Sequence, residues 1–137
     1  MSEQQPVDLT VASPFVAAMK FTVTERSGTR VAGHVDLGPD QHTPWGVVHG
    51  GVYCSVVESA ASIGASTAVR EQGQFSVGVN NNTDFIRSTT SGRVDVVAEP
   101  VQQGRTQQLW QVLLTRAEDG KLVARGQVRL QNVPLPG

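Results

Sequence analysis

Glu58 is the only charged side chain in residues 52–69, a stretch of small and apolar residues reading VYCSVVESAASIGASTAV. Withdrawing an unpaired carboxylate from water costs several kcal/mol or drives it toward its neutral form, so a folded chain seldom keeps one there without a use. The plain alternative is a solvated glutamate on an outward helix face. Against it, no charged neighbours at three- or four-residue spacing mark out a wet stripe. Ser55 and Ser62, three residues before and four after, share the face of Glu58 if the stretch is helical. Either hydroxyl could orient the carboxylate or hold a water, and either could equally bond back to its own helix.

His49-Gly50-Gly51 stands where that helix would begin. The first N–H groups of a helix lack internal partners and carry the positive end of its dipole. Glycine there lets a carbonyl oxygen or a developing oxyanion come close; the same pair could simply make a tight loop-to-helix turn. Gly50 and Glu58 are eight residues apart, about 12 Å along a helix axis. They cannot both touch one scissile carbonyl within a single subunit. If both act, the amide of one chain faces the carboxylate of another, which a two-fold dimer with two sites would supply.

The elements that must position these groups follow from the hydrophobic pattern. Residues 19–26 and 29–37 read as two strands joined at Ser27-Gly28, and 38–48 as an irregular segment with Pro39, Pro44 and Gly46. The helix over 52–69 stops at a polar Arg70-Glu71-Gln72-Gly73, and its Ala60, Ala61, Gly64, Ala65 and Ala68 would let its backbone lie close against a sheet. Strand patterns return at 74–86, 92–101, 106–116 and 121–131, with Asp119-Gly120 as a hairpin turn. In the last of these, Leu122, Ala124, Gly126, Val128 and Leu130 fall on one side, and Val123, Arg125, Gln127 and Arg129 on a wet one. The expected plan is α+β, a single domain over 13–132 in which a sheet wraps one long helix, with a flexible leader at 1–12 and a tail at 133–137.

Composition narrows the function classes. A net charge of −1 and scattered basic residues give no track for a phosphate backbone, so no nucleic-acid or membrane partner is expected. Nine arginines against two lysines suit occasional bidentate phosphate contacts. Cys54 is the lone cysteine and the first residues are polar and acidic, which together point to the cytoplasm. His34, His42 and His49 share no metal-ligand spacing with a nearby carboxylate, and neither metal nor cofactor is expected. Trp110 reads as sheet packing, Trp45 as an entrance residue or a cap on the core, and Cys54 as a packing residue in the apolar helix.

Thr43-Pro44-x-Gly46-x-x-His49-Gly50-Gly51, an acid seven positions on, and Ser76-Val77-Gly78-Val79 leading to Phe85-Ile86-Arg87 together resemble the hotdog-fold acyl-CoA thioesterases of the phenylacetate-degradation type. The pattern is most similar to the branch of the Arthrobacter-type 4-hydroxybenzoyl-CoA thioesterase, and the likeness runs from about residue 14 to 130. It implies a hotdog fold, a homodimer or homotetramer, and hydrolysis of an aromatic or medium-chain acyl-CoA to free acid and CoA. Glu58 would be nucleophile or general base, the Gly50 amide would polarise the thioester carbonyl, and His49 would be structural at the helix entrance. Ser62 would supply a hydroxyl near the acid, Gly51 and Ser76 would adjoin the substrate, and Arg87, Arg105 and Thr106 would meet coenzyme A phosphates. Arg87 reads equally as a surface charge at a strand end. Thr43 departs from the pattern, since relatives carry Asn or Gln there to orient the carboxylate; His42 or Gln41 could compensate. An acyl-thioester hydratase or dehydratase, and a non-catalytic acyl-CoA-binding module, are the alternatives.

Overall fold

The computed structural model describes residues 13–137, so the leader expected at 1–12 lies outside the described residues. A short helix absent from the sequence reading, α1 (Pro14–Ala18), opens the described chain. Ser13 caps it by accepting from the Val16 N–H at 3.3 Å, and Pro14 occupies its first turn. Strands β1 (Phe21–Arg26) and β2 (Val31–Leu37) form a hairpin whose turn is tied by the Ser27 hydroxyl, which accepts from the Thr29 and Arg30 N–H groups.

The loop after β2 makes one 3-10 turn, Pro39–Gln41, and leads to the long helix α2 (Gly50–Val69). A further 3-10 turn, Arg70–Gln72, ends at Gly73 in the left-handed region (φ 72°), from which β3 (Gln74–Phe85) turns back along the helix. Strands β4 (Gly92–Gln103), β5 (Gln107–Arg116) and β6 (Leu122–Pro134) complete one antiparallel sheet in the order β1-β2-β4-β5-β6-β3. β6 reaches Pro134, two residues into the segment expected as a tail. Its last residues pair with Gln74, Phe75 and Ser76, and the Leu135 N–H donates to the Gly73 carbonyl.

The sheet curls around α2, which is why the helix is apolar on most sides rather than along one stripe. Tyr53, Val56, Val57, Ala60, Ala61 and Ala65 pack on Val96, Trp110, Val112 and Leu130. Small residues set the approach. A side chain at Gly64 would overlap the Trp110 ring, and one at Gly126 would lie 2.6 Å from Val57 Cγ1. Residues Gly50–Gln72 are long and apolar enough to cross a bilayer by those measures alone, yet half of that window is buried inside the fold, as in a core helix.

The strand pairing slips at four places, and two of these bulges change the facing of residues singled out above. On β6, Leu114 pairs with Ala124 but Thr115 with Leu122, so Val123 is an extra residue and turns inward. It is fully buried rather than on the wet face where simple alternation placed it. On β3, pairing with β6 skips Val79, between Gly78 and Asn80.

Candidate active site

His49 is the N-cap of α2. Its extended backbone (φ −67°, ψ 132°) lets its own Nδ1 accept the Gly51 N–H at 2.8 Å. An accepting Nδ1 carries no proton, so the neutral ring holds its proton on Nε2. The Gly51 amide is therefore engaged in the cap. The Gly50 N–H, by contrast, finds no acceptor among the described residues, and it sits at the positive end of a 20-residue helix. Gly50 lies beneath the Phe85 ring, where a Cβ would be 2.6 Å from Cε2.

Two turns along α2, Glu58 is half-buried against β3. The Asn81 amide donates to its Oε1 at 3.2 Å, and its Oε2 lies over Gly78, where any Cβ would overlap it. Among the described residues no Lys, Arg or His pairs with Glu58. The same Asn81 Nδ2 donates to the Cys54 carbonyl at 3.0 Å, and the Thr83 hydroxyl donates to Asn81 Oδ1 at 2.7 Å. Sequence reasoning did not single out Asn81.

The serines divide by what their hydroxyls do. Ser55 bonds back to the Gly51 carbonyl at 2.8 Å and stabilises only its own helix. The Ser62 hydroxyl, half-buried one turn beyond Glu58, makes no hydrogen bond within the described chain. Ser76 is buried deep. Its Oγ donates to Asn132 Oδ1 at 2.6 Å and accepts from Gln108 Nε2 at 3.2 Å, while Ser66 bonds its backbone N–H. That network holds the sheet to the helix and engages the Ser76 hydroxyl within the core.

Thr43 sits in a turn, where its hydroxyl accepts the Trp45 N–H at 3.2 Å, away from Glu58. Neither neighbour replaces it: Gln41 is buried, fixing Gly38, Ala18 and Met19 backbone groups, and His42 Nε2 meets the Thr90 carbonyl at 2.6 Å. Trp45 is 85% exposed and caps no core. Tyr53 faces the core, with its hydroxyl buried and unpartnered beside a crevice too narrow to admit a water; burial raises its pKa, and the nearby Arg116 charge partly opposes the rise.

Arg87 is exposed at the end of β3, its Nη1 bonded to the Leu122 carbonyl at 2.8 Å. Arg105 and Thr106 lie in the β4–β5 turn, beside Asn132 and hence near Ser76, at the opposite end of β3. At about 3.3 Å per residue the two groups are roughly 30 Å apart within one protomer. An open, mostly apolar groove of about 430 Å³ flanks the start of α2, bordered by Phe15, Met19, His49, Val52 and Ser55. Among the described residues no three His, Cys, Asp or Glu side chains converge to hold a metal ion.

Comparison with known proteins gives the family to which this fold belongs. The sequence pattern of the thioesterase superfamily matches residues 46–123, more than half of the chain. The chain belongs to the thioesterase superfamily. A Mycobacterium tuberculosis protein named as an esterase is 46% identical over 134 residues, covering 96% of this chain and 95% of that protein. Its solved structure superimposes with a TM-score of 0.86 at 45% identity, over 91% of this chain and all of the other. A Haemophilus influenzae thioesterase superimposes with a TM-score of 0.82 at 26% identity, over 90% of this chain and 85% of the other. The 1,4-dihydroxy-2-naphthoyl-CoA thioesterase 2 of Arabidopsis thaliana is 35% identical over 100 residues, 72% of this chain and 62% of that protein. The helix-wrapped antiparallel sheet is the hotdog fold of this superfamily, and these thioesterase-named relatives make the chain a hydrolase.

Proposed function

We propose that this hotdog protein hydrolyses an acyl-CoA thioester to free acid and coenzyme A in a two-fold dimer, with one active site at each end of the shared interface. The observation that carries the reading is Glu58: half-buried, without a counter-charge, and held on Gly78 by one neutral amide. Either Glu58 attacks the thioester carbon, expelling the CoA thiolate and leaving an anhydride for water to cleave, or it takes a proton from water as that water attacks. The free Gly50 N–H of the partner chain would hold the developing oxyanion.

The strand order supports the sharing. β3 is an edge strand, with one side unpaired in the protomer. It runs antiparallel to α2, so Gly50 lies under Phe85 while Glu58 lies against Gly78 and Asn81. An antiparallel pairing of two β3 strands centred near Asn82 sets the Phe85 end of one against the Gly78–Asn81 segment of the other. That register brings the Gly50 amide to the opposing Glu58 and carries Arg87 toward the Arg105–Thr106 turn, a place for coenzyme A phosphates. The aromatic substrate named for the Arabidopsis relative and the likeness to 4-hydroxybenzoyl-CoA thioesterases favour an aromatic acyl group. A coenzyme A thioester substrate is in keeping with a cytoplasmic site of action.

The direct test is hydrolysis of benzoyl-CoA and a medium-chain acyl-CoA by wild type and Glu58→Ala, with a fall of about three orders of magnitude expected in the variant. Unchanged turnover refutes the assignment. Sharing is tested by mixing Glu58→Ala with a Gly50→Pro/Phe85→Ala variant, since proline at a first helical position removes the N–H and the shortened Phe85 clears the ring that a Cβ at Gly50 would meet. Each hybrid dimer then carries one intact site, and about a quarter of wild-type activity returns; no recovery after subunit exchange refutes the shared site.

A further inference from the structure

We infer that Asn81, an edge-strand amide, is the positioning residue for Glu58 and leaves Oε2 as the reacting oxygen. This rests on the reading of Glu58 given above. β3 carries three successive asparagines, Asn80, Asn81 and Asn82, and plain alternation from the inward Ser76 and Gly78 would aim Asn80 and Asn82 at the helix. The bulge at Val79 reverses the phase, so that Asn81 and Thr83 face in while Asn80 and Asn82 are exposed.

Once turned in, the amide has one workable orientation. Its Nδ2 hydrogens meet the Cys54 carbonyl at 3.0 Å and Glu58 Oε1 at 3.2 Å, and its Oδ1 receives the Thr83 hydroxyl at 2.7 Å. Flipped, Oδ1 would face two acceptors and the Thr83 proton would lose its own. Cys54 and Glu58 are one helical turn apart, so the amide spans that turn and fixes where the carboxylate points. Oε1 is thereby held, while Oε2 has no hydrogen-bond partner among the described residues.

Kinetics of aroyl-CoA hydrolysis with Asn81→Leu, Asn81→Asp, Thr83→Val and the Asn81→Leu/Thr83→Val double variant test the inference, beside Glu58→Ala. A carboxylate misplaced by about 1 Å costs on the order of a hundredfold. Asn81→Leu is therefore expected to lower kcat about ten- to hundredfold with KM within about twofold. Thr83→Val should lower kcat less, and the double variant no further than Asn81→Leu, because the two act through one group. Asn81→Asp keeps the shape and sets an anion against Glu58, so it should be as slow as Asn81→Leu even if the leucine variant folds poorly. If Glu58→Ala is inactive while Asn81→Leu or Asn81→Asp, folded, keeps wild-type kcat, the inference is overturned and the Glu58 reading stands. Full activity in Glu58→Ala overturns both.

Discussion

Gly78→Ala should separate catalysis from stability. The added Cβ would overlap Glu58 Oε2 and lie 3.0 Å from its carboxyl carbon, where ordinary contacts begin near 3.4 Å. The strand backbone is held by β6, so the carboxylate retreats, by roughly half to one ångström to restore van der Waals separation. The Asn81 bond to Oε1, already 3.2 Å, then stretches beyond useful length. Displacement on that scale lowers kcat about ten- to hundredfold. Meanwhile alanine is easier to order in a strand than glycine by about 0.5–1 kcal/mol, which offsets the local crowding. Thiol release from benzoyl-CoA and a thermal melt of the same preparation give both readouts. A variant with kcat within twofold of wild type would refute the claim that Glu58 works from its seat on Gly78, whatever its Tm.

Tyr53→Phe removes a buried hydroxyl that has no partner, so stability should stay level or rise by up to about 1 kcal/mol in urea unfolding. Gly64→Val must displace the Trp110 ring beneath it and should cost about 1–3 kcal/mol by the same measurement. Gln108→Leu strips partners from Ser76, Asn132 and the Trp110 indole inside the core, and should destabilise by about 3 kcal/mol or more while leaving KM for acyl-CoA unchanged. The Arg116 hydrogen bond, aided by the Lys121 backbone N–H, holds the Asp119 carboxyl down to about 2, against an ordinary value of 3.8. A depressed pKa stabilises the fold above the ordinary value, and that contribution disappears as pH falls through the folded one. The Tm gap between wild type and Asp119→Asn should therefore be present at pH 6 and close between about pH 4 and pH 2.

The order of elements was legible because each segment carries its own period. Residues 52–69 read as a helix from their small and apolar composition and their lack of proline, and the strands at 92–101 and 106–116 matched observed strands to within a residue or two. Glu58 could be singled out for the same reason: a charge is conspicuous where nothing else is polar. Gly50 was legible from its place at a helix start, and the distance between the two followed from helical rise alone. What local pattern could not show is which side chains face one another once alternation is broken. Two single-residue bulges, at Val79 and Val123, each reverse the facing of a strand, and neither residue differs in type from its unbulged neighbours. The first turns Asn81 rather than Asn80 or Asn82 to the carboxylate. Likewise Ser76, a serine beside a candidate site in sequence, is drawn into the buried network by Gln108 and Asn132, which are distant along the chain. Sequence marks out the candidate carboxylate because its chemistry is local; only packing chooses its partner, because a strand's facing depends on its register with its neighbours.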